Sequence, residues 1–121
     1  MYTAYVLDEA TRVGLMMQFP PKYSKWIGHH VTEQFGVPND AVAPAYAEVK
    51  VIGYADSEDG IEALVVSVDG EKYKENGKLY HITWSLDPDK YKPVDSNKLL
   101  SEKQFTMILS IPILTQPEVL Q

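Results

Sequence analysis

Residues 47 to 69 read AEVKVIGYA-DSEDG-IEALVVSVD, two alternating, β-branched stretches joined by five polar or glycine residues. Val, Ile and Tyr favour a pleated, half-buried strand, and a short acidic, glycine-ended connector suits a hairpin. The rest of the chain is organised around this hairpin. MYTAYVLD reads as a first strand, and DEATRVGLMMQF as a helix beginning near Asp8, with Val13, Met16 and Met17 at helical spacing. Pro20 and Pro21 end it. KYSKWI is a loop or strand entry, GHHVTEQFG a strand, and VPNDAVAPAY a loop. GEKYKENGK is a polar connector and LYHITWSLD another strand. PDKYKPVDSNKLLSEK is a loop with one helical turn, and QFTMILSIPIL the last strand, whose Pro112 marks an edge or a strand end. About six mostly antiparallel strands with one or two helices predict an α+β fold. No linker divides the chain, so residues 1–121 are expected to form one domain.

The formal net charge is −6, which argues against long nucleic acid as a partner for the surface as a whole, since phosphate-backbone binding rests on clustered Lys and Arg. A small anion in one local pocket is compatible with it. The absence of cysteine excludes disulfides, thiolate metal sites and a cysteine nucleophile. No apolar run approaches the ~20 residues of a membrane span. MYTAYVLDEATR lacks the basic and apolar regions of a signal peptide, so a cytoplasmic location is expected.

One pattern occurs twice. HHVTEQFG and YHITWSLD each place His, a β-branched aliphatic and Thr in succession on an expected strand, giving His30-Val31-Thr32 and His81-Ile82-Thr83. Alternation turns His and Thr to one face while the aliphatic residue anchors the other in a core. The chemistry suits phosphodiester cleavage. That reaction needs a base for the attacking hydroxyl and an acid for the leaving oxygen, and imidazole serves either role near neutral pH. A threonine hydroxyl beside each imidazole can donate to a non-bridging oxygen where negative charge grows. His30 and His81 are therefore the candidate acid/base pair and Thr32 and Thr83 the phosphate clamp, with no metal or cofactor required.

These two motifs resemble the signature of the 2H (two-histidine, LigT-like) phosphoesterase superfamily. The flanking IGHHVTEQFG and KPVDSNKLL look most like its small, phage-associated branch. The resemblance implies a two-lobed, pseudo-symmetric fold with one motif per lobe, facing each other across a central groove. It also implies metal-independent cleavage of a small nucleotide phosphodiester, most plausibly a cyclic oligonucleotide signal, as in anti-CBASS nucleases. A viral protein of this kind would work in the host cytoplasm. RNA-end processing of 2′,3′-cyclic phosphates is the alternative reaction, and a non-catalytic cyclic-nucleotide sponge is the alternative of another class.

Plainer readings stand beside these. Both histidines could be ordinary strand residues bonded to neighbouring threonines. Alternation places His29 opposite His30, outside the clamp, and so opposes a zinc site built from His29, His30 and His81. No Gly-x-Ser-x-Gly elbow supports a serine triad. Trp84 alternates into the core. Trp26, just before the first motif, is a candidate to line the groove. Tyr2 and Tyr5 lie on opposite faces, so at most one looks into the groove, and Tyr5 is assigned that role. Of Lys22, Lys25 and Lys78, Lys78 is the candidate to meet phosphate. Ser96 and Asn97 read as turn formers, and YADSEDGIEA as a hairpin loop without the spacing of an EF-hand.

Overall fold

The computed structural model describes residues Met1–Gln121. In chain order it contains β1 (Tyr2–Leu7), α1 (Glu9–Gln18), β2 (Lys25–Trp26), β3 (His30–Phe35), β4 (Val49–Asp56), β5 (Ile61–Val68), β6 (His81–Leu86), a 3-10 turn at Pro93–Asp95, α2 (Ser96–Glu102), β7 (Thr106–Ile113) and β8 (Thr115–Leu120). The strands form two antiparallel sheets, β3-β1-β8 and β2-β6-β5-β4-β7. This is an α+β fold of two lobes around a groove. The lobes are pseudo-symmetric in that each presents a six-residue strand opening on a histidine, β3 in one sheet and β6 in the other.

The central hairpin forms as its pattern requires. β5 is buried along its whole length: β4 and β6 flank it, Leu64 and Val66 lie in the core shared with the smaller sheet, and Ile61 and Ala63 pack with Leu99 of α2 on the other face. Val49 and Val51 of β4 join Leu64, Val66, Ile82 and Trp84 of the larger sheet in one apolar cluster with Tyr5, Leu7 and Val31 of the smaller. The two sheets thus share a core. α1 contributes Leu15 to it, and its N-terminus is capped by the Asp8 carboxylate, which accepts from the Thr11 amide at 3.4 Å.

Two elements depart from expectation. β8 was not expected at all. Its sequence, TQPEVL, carries no alternating apolar pattern, and Pro117 argues against a central strand; the strand exists as an edge paired to β1, where a missing amide is tolerated. Pro112 likewise lies in the edge strand β7. The single helical turn expected after β6 is a 3-10 turn running into the seven-residue α2, whose Leu99 packs on Ala55, Ile61, Ala63 and Leu86.

The segment from Lys25 to Phe35 belongs to both sheets. Lys25 and Trp26 pair with Leu86 and Ser85, and the Ile27 and Gly28 amides continue this pairing to the Trp84 and Thr83 carbonyls at 2.9 and 3.0 Å. At Gly28 (φ +44°) the chain turns, and His30 is already paired with Val6 in the other sheet. A side chain at Gly28 would lie 2.6 Å from Trp26 Nε1 and 2.7 Å from the Trp84 ring, so the crossover requires glycine. Arg12 of α1 secures it: Nε donates to the Gly28 carbonyl at 2.8 Å, Nη2 to the Ile27 carbonyl at 3.0 Å, and the guanidinium lies 3.6 Å over the Trp26 ring. This crossover carries the first motif alongside the second.

Candidate active site

A groove of about 490 Å³ lies between the two sheets, and His30, Thr32, His81 and Thr83 all line it. The intervening Val31 and Ile82 are fully buried on the opposite faces of their strands, so alternation places all four polar side chains as their spacing requires.

The two imidazoles are held differently. His81 Nδ1 lies 3.0 Å from the Leu79 carbonyl. A carbonyl only accepts, so Nδ1 carries the hydrogen and Nε2 is the working atom. Nε2 lies 3.1 Å from Ser96 Oγ, which is also 2.7 Å from Thr83 Oγ1 and 2.7 Å from the Pro93 carbonyl. Thr83 Oγ1 reaches the same carbonyl at 3.1 Å. Ser96 is wholly buried and joins the second motif to the start of α2. On the other side, the Nδ1 atoms of His29 and His30 lie 3.0 Å apart and share one hydrogen, with the rings edge to face. His29 therefore does not point away from His30 as alternation predicts. β3 begins at His30, and the turn at Gly28 leaves His29 outside the strand. His29 does not line the groove, but it orients the ring that does.

Burial lowers the pKa of both imidazoles to about 4. For His30 the neighbouring His29, His81 and Lys74 add to this. For His81 the Leu79 hydrogen bond opposes it, while Lys74 and Lys78 reinforce it. A pKa this low leaves both rings neutral at pH 7.

The remaining sequence candidates divide. Lys78 lines the groove. Tyr5 does not: it is 5% exposed, in the core, because it pairs with Val31 and shares that residue's inward face. Tyr2 is the tyrosine that looks into the groove. Its ring stacks on Phe35 (5.7 Å between centroids, 13°) and lies 5.2 Å from the His30 ring. Trp26 is held beneath Arg12 and against the edge of Trp84, and its neighbour Ile27 takes the groove position. Trp84 is fully buried, with Nε1 donating to the Phe19 carbonyl at 2.8 Å. Lys22 is ion-paired with Asp56. Sequence reasoning took Tyr5 where Tyr2 lines the groove, and missed Phe35, Lys74, Asn76 and the role of Ser96; Asn97, expected as a turn former, also lines the groove.

No three His, Cys, Asp or Glu side chains converge to hold a metal ion. The His81–Ser96–Thr83 cluster and the facing His30 and Thr32 are compatible with acid/base chemistry on an anion bound between the sheets. This architecture is consistent with the LigT-like superfamily fold. No family model, curated protein or solved structure matches the chain.

Proposed function

We propose that this protein is a metal-independent phosphodiesterase that cleaves a small nucleotide, in particular a cyclic oligonucleotide signal of the kind destroyed by phage anti-CBASS nucleases, in the host cytoplasm. The observation that carries the reading is the composition of the groove. It joins both His-x-Thr units from two different sheets, and no Asp or Glu lines it in a chain of net charge −6. Such a site favours a phosphate over a cationic or neutral polar ligand.

A ribose 2′-hydroxyl is the nucleophile. One imidazole takes its proton as the new O–P bond forms, and the other gives a proton to the leaving 5′-oxygen as the old P–O bond breaks. The products are a 2′,3′-cyclic phosphate and a 5′-hydroxyl. Thr32 donates to one non-bridging oxygen, Thr83 turns its hydroxyl from the Pro93 carbonyl to the other on substrate binding, and the stacked Tyr2 and Phe35 offer a surface to a base. We read His81 as the proton donor, a reading supported by the hydrogen bonds around it. When it is neutral, two hydroxyl protons must serve four contacts of 2.7–3.1 Å among Nε2, Ser96, Thr83 and Pro93. An imidazolium supplies a third proton at Nε2, with Ser96 accepting it and donating to Pro93. A bound phosphodiester anion favours that charged form. His30 is then the base.

The test is incubation with cyclic di- and trinucleotides and with RNA 2′,3′-cyclic phosphate in EDTA, resolved by chromatography. Cleavage is expected to persist in EDTA and to fall by about 10²–10⁴-fold in His30→Ala and in His81→Ala. Preferential turnover of the RNA end identifies the repair reaction instead. Intact nucleotide co-purifying with an inactive wild type identifies a sponge.

A further inference from the structure

We propose that the hairpin Tyr73–Leu79 is a second phosphate subsite, in which Lys74 and Lys78 hold a phosphate of the substrate that is not being cleaved. The proposal rests on the phosphodiesterase reading and extends it, since a substrate filling both subsites carries at least two phosphates.

The hairpin is short and internally bonded. Tyr73 bridges Leu79, the Lys74 amide donates to the Lys78 carbonyl at 2.8 Å, and the Gly77 amide donates to the Lys74 carbonyl at 2.9 Å. The Asn76 side chain accepts from the Lys78 amide at 2.9 Å, and Gly77 takes φ +83° to close the turn. The turn thus sets two ammonium-bearing residues opposite each other. Like charges so placed are destabilising, and here no ion pair offsets them. The ion pairs of the molecule involve Arg12, Lys22, Lys50, Lys98 and Lys103, and neither Lys74 nor Lys78. Lys74 is moreover half-buried, and its pKa is lowered by burial and by Lys78. Glu33 is the acid that opposes this shift, and its carboxylate already accepts the Thr3 hydroxyl at 2.6 Å.

Both lysines and Asn76 face the same groove as the histidines. An electrostatic conflict kept at a groove wall is resolved by an anion, and local inconsistencies of this kind concentrate at functional sites. On the phosphodiesterase reading the catalytic four take the scissile phosphate, which leaves the lysines free for another. Lys78 precedes His81 by three residues, a span of roughly 10 Å at most in an extended chain. The lysine hairpin therefore meets a neighbouring phosphate of the same small molecule. A cyclic dinucleotide satisfies both subsites; a cyclic mononucleotide fills only one.

The experiment uses two probes without a 2′-hydroxyl, so that nothing is turned over: cyclic di-deoxyadenylate, with two phosphates, and 3′,5′-cyclic deoxyadenylate, with one. Calorimetry on the full chain is expected to show a marked preference for the two-phosphate probe. Lys74→Met and Lys78→Met are each expected to reduce that preference about tenfold, and to reduce the slope of log Kd against log salt by about one. The melting temperature of the ligand-free variants is expected to stay level or rise, because a repulsion is removed. A wild-type preference below about threefold, or one that survives in both variants, overturns the subsite. Failure of the phosphodiesterase reading looks different: ribonucleotide substrates stay intact while the lysine-dependent preference persists.

Discussion

Ser96 is the residue on which the second motif turns. Its hydroxyl is the only group touching His81 Nε2, Thr83 Oγ1 and the Pro93 carbonyl at once, and it is shielded from water. Ser96→Ala leaves the Nε2 proton without its acceptor. The imidazolium is then less favoured, and His81 gives up its proton at lower pH. The upper limb of the kcat/KM pH profile is therefore expected to shift toward acid, with kcat down about tenfold and KM nearly unchanged, while stability falls by about 1 kcal/mol. A purely structural serine would lower the melting temperature without moving the limb. The sequence holds little sign of this role, because in PVDSN a serine reads as a turn former and nothing in the spacing ties it to a strand 13 residues earlier. The four motif residues were legible for the opposite reason. Two-residue periodicity fixes which way each side chain points, and the buried Val31 and Ile82 hold that phase. Periodicity also said that Tyr2 and Tyr5 diverge, but not which faces in; that depends on pairing with Val31, which one strand's letters do not contain.

The crossover between β2 and β3 matters most among the elements, because it converts two separate sheets into one groove. Gly28→Ala forces a methyl against Trp26 Nε1 and the Trp84 ring, in a backbone conformation unfavourable to alanine. A loss of about 2–4 kcal/mol in denaturant unfolding is expected, along with a drop in kcat as His30 moves. Arg12→Met keeps the aliphatic stem but removes the donors to the Ile27 and Gly28 carbonyls and the charge over Trp26. A milder loss of about 1–3 kcal/mol is expected, with the larger share of any activity loss in kcat; an unchanged kcat would show that the crossover holds itself. β4, with its strict alternation, and β5, a run rich in β-branched residues, could be read from the letters alone. β8 could not, since its sole support is the free edge of β1, a property of the assembled sheet. The extent of α2 was hidden similarly: its helical register depends on Leu99 finding the pocket formed by Ala55, Ile61, Ala63 and Leu86.

At the scale of the whole molecule, an acidic chain encloses an uncharged or cationic groove, and its stability should report what fills that groove. Both imidazoles titrate near pH 4 when folded and near 6.5 when unfolded. Between these values the unfolded chain binds more protons, so stability rises with pH through the window and is lost as pH falls from about 6.5 toward 4. With solvent screening allowed for, the loss is on the order of 2–4 kcal/mol. A bound phosphodiester reverses the sign of the local field. It stabilises the imidazolium forms, so protons and ligand bind cooperatively in the groove. The gain in melting temperature from saturating cyclic di-deoxyadenylate should therefore be greater at pH 5.5 than at pH 8, and His30→Ala/His81→Ala should flatten both the acid loss of the free protein and the pH dependence of the gain. A ligand effect independent of pH in the wild type would mean that the phosphate does not reach the imidazoles, and the catalytic reading would fall with it.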